Sequence, residues 1–72
     1  MKIKFKTLNI GGDLLLIITG GKEHIGAISF CENNKLFTIE KLNHKDSVIS
    51  NMVSKMIYDK LKINIVVVCG IH

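Results

Sequence analysis

The hydrophobic period of this chain changes once, and that change limits the folds open to it. From Val48 to Leu61 the apolar residues Val48, Ile49, Met52, Val53, Met56, Ile57 and Leu61 recur at helical spacing. They form one continuous stripe of an amphipathic helix. Asn43 and Asp46 are candidate N-caps ahead of it, because short polar side chains satisfy the orphan amides of a first turn. Lys60 and Lys62 stand at its far end, where cations suit the helix dipole.

Everything before that helix has strand character. Met1 to Thr7 alternates Met1, Ile3 and Phe5 with Lys2, Lys4 and Lys6, the pattern of a half-buried strand with a solvated lysine face, and Leu8 and Ile10 extend it. Gly11-Gly12-Asp13 marks a hairpin turn. The run Leu14 to Thr19 is short, unbroken and flanked by glycine pairs, which predicts a strand buried on both faces. Gly20-Gly21 ends it. Ile25 to Cys31 is a third strand, Glu32 to Lys35 a polar turn, and Leu36 to Glu40 a fourth strand, so the first half has the pattern of an antiparallel meander. After the helix, Ile63 to Cys69 is β-branched and nearly unbroken, which suits a central strand. The expected fold is α+β, a meander, one helix and a final buried strand (ββββαβ), in a single domain over residues 1–72.

Size and composition narrow the function classes. A chain of 72 residues that is 47% hydrophobic has too much apolar material for disorder. It is also too short to hide that material easily, so self-association as a homodimer is expected. The net charge is +4, but the lysines are scattered from Lys2 to Lys62 and arginine is absent. Arginine is the residue suited to bidentate phosphate and base contacts, so the pattern argues against nucleic acid. No apolar stretch approaches the ~20 residues of a membrane span. The N-terminal alternation is not that of a signal peptide. Cys31 and Cys69 lie in apolar runs and are expected as buried free thiols, consistent with a cytoplasmic protein.

Chemistry-bearing residues are few. CxxC, HExxH, phosphate-loop and nucleophile-elbow motifs are absent, so no catalytic set is assigned and the chain is not expected to be an enzyme. His24, His44 and His72 each fall at the end of an element, where ligand sites tend to form. Three imidazoles could hold a metal if they converged, although their spacing is not metal-specific and no metal is expected. Gly20, Gly21 and Gly26 allow close backbone approach beside His24, as a hairpin or as a cradle for an anion.

Three of these segments together resemble one family. Thr19-Gly20-Gly21-Lys22-Glu23-His24-Ile25-Gly26-Ala27 is similar to the TGG-x-x-HIGA signature of the prenylated flavin chaperone LpdD-like family. His44-Lys45-Asp46 resembles its HKD/HRE segment at the helix start, and Val66 to His72 resembles its VVVxGIH terminal strand. The resemblance spans nearly the whole chain. This sequence is shorter than the family pattern and ends at His72 of the GIH motif.

The resemblance implies a fold like the proteasome assembly chaperones, which are dimeric and non-catalytic. It implies an accessory protein that handles prenylated flavin mononucleotide (prenylated FMN) or assists a UbiD-type gallate decarboxylase. Carried over residue by residue, Gly20, Gly21, His24, Gly26, His44 and His72 are the candidate cofactor-binding positions, with Gly70 and Ile71 in the third motif. Two other readings stand beside it. One is an assembly chaperone or protein-interaction domain unrelated to flavin. The other is a histidine-based metal-binding protein.

Overall fold

The computed structural model describes residues 1–41 and 45–72. The elements follow the expected order: β1 (Ile3–Ile10), β2 (Asp13–Gly20), β3 (Ala27–Glu32), β4 (Lys35–Glu40), α1 (Asp46–Leu61) and β5 (Ile65–Ile71). The four early strands form two hairpins rather than one continuous meander. The spatial order is β1-β2-β5-β3-β4, with β5 inserted between the hairpins. It runs parallel to β2 and antiparallel to β3.

The turns explain the hairpins. Gly11, at φ 60°, opens the two-residue loop between Ile10 and Asp13. Asn33 and Asn34 link Glu32 to Lys35 with φ of 51° and 61°, and positive φ at both positions is what a type I′ turn requires. Gly20-Gly21, by contrast, is not a hairpin turn. It opens the segment that carries the chain past the end of β5 to reach β3, and that strand begins at Ala27 rather than Ile25.

One face of the sheet carries α1. The helix packs on β3 and β5 and touches β4. The core beneath it consists of Leu16, Ile18, Cys31, Ile65, Val67 and Cys69, with both cysteines free. The helix residues that go deepest are not the predicted apolar stripe. They are Asp46, Ser50 and Ser54, and Ile49, Val53, Ile57 and Tyr58 pack beside them. Val48, Met52 and Met56 stay exposed. Small side chains let the helix approach the sheet closely, and hydrogen bonds satisfy them there. Ser29 Oγ donates to Asn51 Oδ1 at 2.5 Å. Ser50 Oγ and Ser29 Oγ share a hydrogen bond at 2.6 Å, in which either hydroxyl can donate. Thr38 Oγ1 donates to Asn51 Oδ1 at 2.6 Å.

The helix ends also differ from expectation. Lys45 holds the N-cap position, with no side-chain cap, and Asp46 is already the first helical residue. Asn43, the other candidate cap, lies outside the described residues. At the other end Lys62 adopts the left-handed conformation, and its N–H donates to the Tyr58 carbonyl at 2.8 Å.

Among the described residues no second layer covers the middle of the opposite face of the sheet. Strand register sets two rows of side chains across it. Leu8, Leu15, Val66, Phe30 and Phe37 form one row, apolar over all five strands. Lys6, Ile17, Val68, Ile28 and Ile39 form the next, charged only at the β1 edge. Phe30 and Phe37 stack with centroids 6.1 Å apart. β2 is therefore buried on its helix face and only half-buried on the other, not buried on both. β1 is exposed along its whole length, since α1 does not extend over it, and Phe5 remains 64% exposed.

The polar seat of the helix gives a direct test. Ser50→Leu forces bulk into a filled, hydrogen-bonded site and should cost about 2–4 kcal/mol by urea denaturation. Met52→Leu, on the exposed side, should change stability by less than about 0.5 kcal/mol.

Candidate functional site

The candidate site gathers where β2 and β5 end together beside the start of α1. Parallel pairing brings Gly20 level with Ile71. The His72 N–H donates to the Gly20 carbonyl at 2.9 Å, which extends the ladder by one bond and fixes His72 at the corner. From there residues 21–26 fold over the end of β5. Gly21, at φ 68°, starts the reversal, and a Cβ placed on it would stand 3.1 Å from the His72 carbonyl oxygen. Thr19 Oγ1 donates to Glu23 Oε2 at 3.0 Å and tethers the segment to β2.

Two other glycines are required by contact. A Cβ on Gly70 would lie 1.7 Å from the His24 carbonyl oxygen, and one on Gly26 would lie 1.8 Å from Asp46 Oδ2. The crossing segment therefore rests directly on the backbone of β5, and the Asp46 carboxylate rests on Gly26. The Gly26 N–H donates to the Cys69 carbonyl at 2.9 Å, and the Lys41 N–H donates to the Gly26 carbonyl at 2.9 Å.

These constraints bring His24, Asp46 and His72 together. His24 Nδ1 donates to the Lys22 carbonyl at 2.8 Å, because a carbonyl can only accept. That turns Nε2 toward Asp46, 3.8 Å from Oδ2. The rings of His24 and His72 meet edge to face at 6.3 Å. Asp46 is 6% exposed, and its Oδ1 accepts the Ile71 N–H at 3.3 Å. The buried carboxylate thus ties the helix start to the end of β5, and its negative charge suits the positive end of the helix dipole.

Of the residues singled out from sequence, Gly20, Gly21, His24, Gly26, Gly70, Ile71 and His72 meet at this corner. His44 lies outside the described residues. Asp46 was expected only as a cap, and the Ile71 N–H it accepts lies on a different element from its helix. Its place in the His44-Lys45-Asp46 motif was the available signal. Among the described residues no group of three His, Cys, Asp or Glu side chains could hold a metal ion. A small cavity of about 110 Å³ lies at the other end of β5, between Leu14, Phe30, Asn64 and Val66, away from the histidines.

The environment of Cys69 reflects the same packing. Burial, helped by the nearby Asp46 charge, pushes its thiol up to about 11. The chain over residues 1–72 matches the family described as the prenylated flavin chaperone LpdD-like domain. No curated protein matches it. Among the described residues no helix is long and apolar enough to cross a membrane.

Two outcomes test this geometry. Gly70→Ala drives a methyl into backbone and should cost more than about 3 kcal/mol in thermal unfolding. Gly12→Ala has nothing within 4 Å of its Cβ and should cost less than about 1 kcal/mol. The Cys69 thiol keeps its proton to higher pH when folded than its ordinary value of 9.0 allows when unfolded. Between those two values the unfolded chain binds fewer protons, so stability falls as pH rises. Urea midpoints from pH 8 to pH 11 should show the advantage of the wild type over Cys69→Ala narrowing in that window.

Proposed function

Because this chain belongs to the prenylated flavin chaperone LpdD-like family, we propose that it is a non-catalytic accessory protein that holds prenylated FMN at the His24–Asp46–His72 corner and serves a UbiD-type decarboxylase. The observation that carries this reading is the convergence of two imidazoles and a buried carboxylate on a glycine-lined strand end. The donor set fits the cofactor's chemistry. Imidazole and carboxylate groups can hydrogen-bond the polar edge of a flavin ring, and the glycines leave backbone within reach of a planar ligand. Lys22, Lys41 and Lys45 lie along the adjoining chain segments and supply cationic charge for a phosphate. Gly20, Gly21, His24, Gly26 and His72 are the binding positions in this reading, with His44 added from the family motif.

A flavin held at the corner stays accessible on one side, as transfer to an enzyme demands. The working unit in this reading is a homodimer.

Titration calorimetry with reduced prenylated FMN tests the proposal. Binding should occur at micromolar concentrations, and His24→Ala with His72→Ala should weaken it by at least about tenfold, the loss of roughly 1.4 kcal/mol of polar contact. An affinity unchanged in the double variant would reject the corner as the site. Binding too weak to measure in the wild type would reject the cofactor role.

A further inference from the structure

We propose that His24 and Asp46 form a proton-operated latch. While Nε2 of His24 carries a proton, the imidazolium pairs with the carboxylate and holds residues 21–26 over the end of β5. Loss of that proton releases the segment. The latch lies in the corner assigned to flavin but needs no flavin to operate.

A carbonyl only accepts, so the 2.8 Å contact with the Lys22 carbonyl commits Nδ1 of His24 to the donor role. A neutral imidazole has one N–H, which would leave Nε2 with a bare lone pair. That nitrogen stands 3.8 Å from Asp46 Oδ2, and both side chains are largely removed from water. A lone pair facing a carboxylate is repulsive, and little water is there to screen it. One more proton, on Nε2, turns the repulsion into an ion pair in which both ring nitrogens donate.

The proton sits on the imidazole rather than on the carboxylate. Asp46 is the first residue of α1, where the helix dipole favours negative charge, and its Oδ1 accepts the Ile71 N–H. Other ionisable groups surround the pair. His72 meets the His24 ring edge to face at 6.3 Å, so two imidazoliums there would repel and oppose the latch in acid. Cys69, near Asp46, is a thiol that burial keeps protonated. Glu23, on the segment itself, is engaged by Thr19, and Lys22 and Lys45 are exposed.

The pair governs the middle of the segment. The ends are fixed by the His72 N–H on the Gly20 carbonyl and the Gly26 N–H on the Cys69 carbonyl. Between them Ile25 is exposed, and Thr19 ties Glu23 by one hydrogen bond. Gly70 leaves room for the His24 carbonyl but supplies no side chain to grip it. The closed segment binds the proton. Closure is therefore complete below the ordinary imidazole range of about 6.5 and is lost as pH rises above it. Opening uncovers Gly70 and frees His24 from His72, so the proton decides which surface the corner presents.

NMR of the whole chain without flavin tests the latch. At pH 6 both ring nitrogens of His24 should carry protons, and NOEs should join its ring to His72 and its backbone to Gly70. At pH 9 those NOEs should weaken by at least about twofold, while contacts between β2 and β5 persist. In Asp46→Asn the introduced amide keeps an oxygen for the Ile71 N–H and offers an N–H to an unprotonated Nε2, so the NOEs should survive at pH 9. His72→Gln should leave the His24–Gly70 contact and its pH dependence unchanged. A bare Nε2 at pH 6 overturns the proposal, as do wild-type contacts that are the same at pH 6 and pH 9. So does an Asp46→Asn variant that loses them in parallel with the wild type, or a His72→Gln variant without the pH dependence. The wild-type measurements decide even if a variant fails to fold, and a failed flavin titration leaves all of them unchanged.

Discussion

The insertion of β5 between the two hairpins is the constraint on which the remaining structure depends. Neither hairpin pairs with the other, and the ladders from β5 to β2 and to β3 make one sheet of them. The strand is suited to that position by composition. Ile65, Val66, Val67 and Val68 are β-branched, and a pleated surface flanked on both sides favours them. Because β5 runs parallel to β2, the two strands end at the same level, and the start of α1 is brought to the same corner through Asp46.

The helix is fitted to this sheet by a polar seat within an apolar layer. Ser50 and Ser54 face the strands where larger apolar residues would hold the helix farther off. The bonds between Ser50 and Ser29, and from Ser29 and Thr38 to Asn51, offset the cost of burying those hydroxyls. They also fix the helix laterally over β3 and β5. One helix so placed leaves β1 exposed and, among the described residues, leaves the two apolar rows of the opposite face without a covering layer.

The candidate site follows from backbone contact more than from side-chain chemistry. Gly70 and Gly26 admit the His24 carbonyl and the Asp46 carboxylate at distances that a methyl group would forbid. The segment between β2 and β3 must pass the end of β5, because β5 separates those strands. Its route over Gly70 sets His24 beside His72.

The sequence by itself determined the elements and marked the segments of the site. Alternation and β-branched runs specified five strands, helical spacing specified α1, and three short motifs identified Gly20 to Ala27, His44 to Asp46 and Val66 to His72. These signals are local, since period and turn chemistry are written in neighbouring residues. Only the tertiary structure decided which strands are neighbours. Without it Gly20-Gly21 resembles a hairpin turn, and the stripe from Val48 to Leu61 resembles the buried side of its helix. The depth of Ser50 and the meeting of Asp46 with the end of β5 depend on residues more than twenty positions away. No periodicity encodes such pairings. They are set by where β5 enters the sheet.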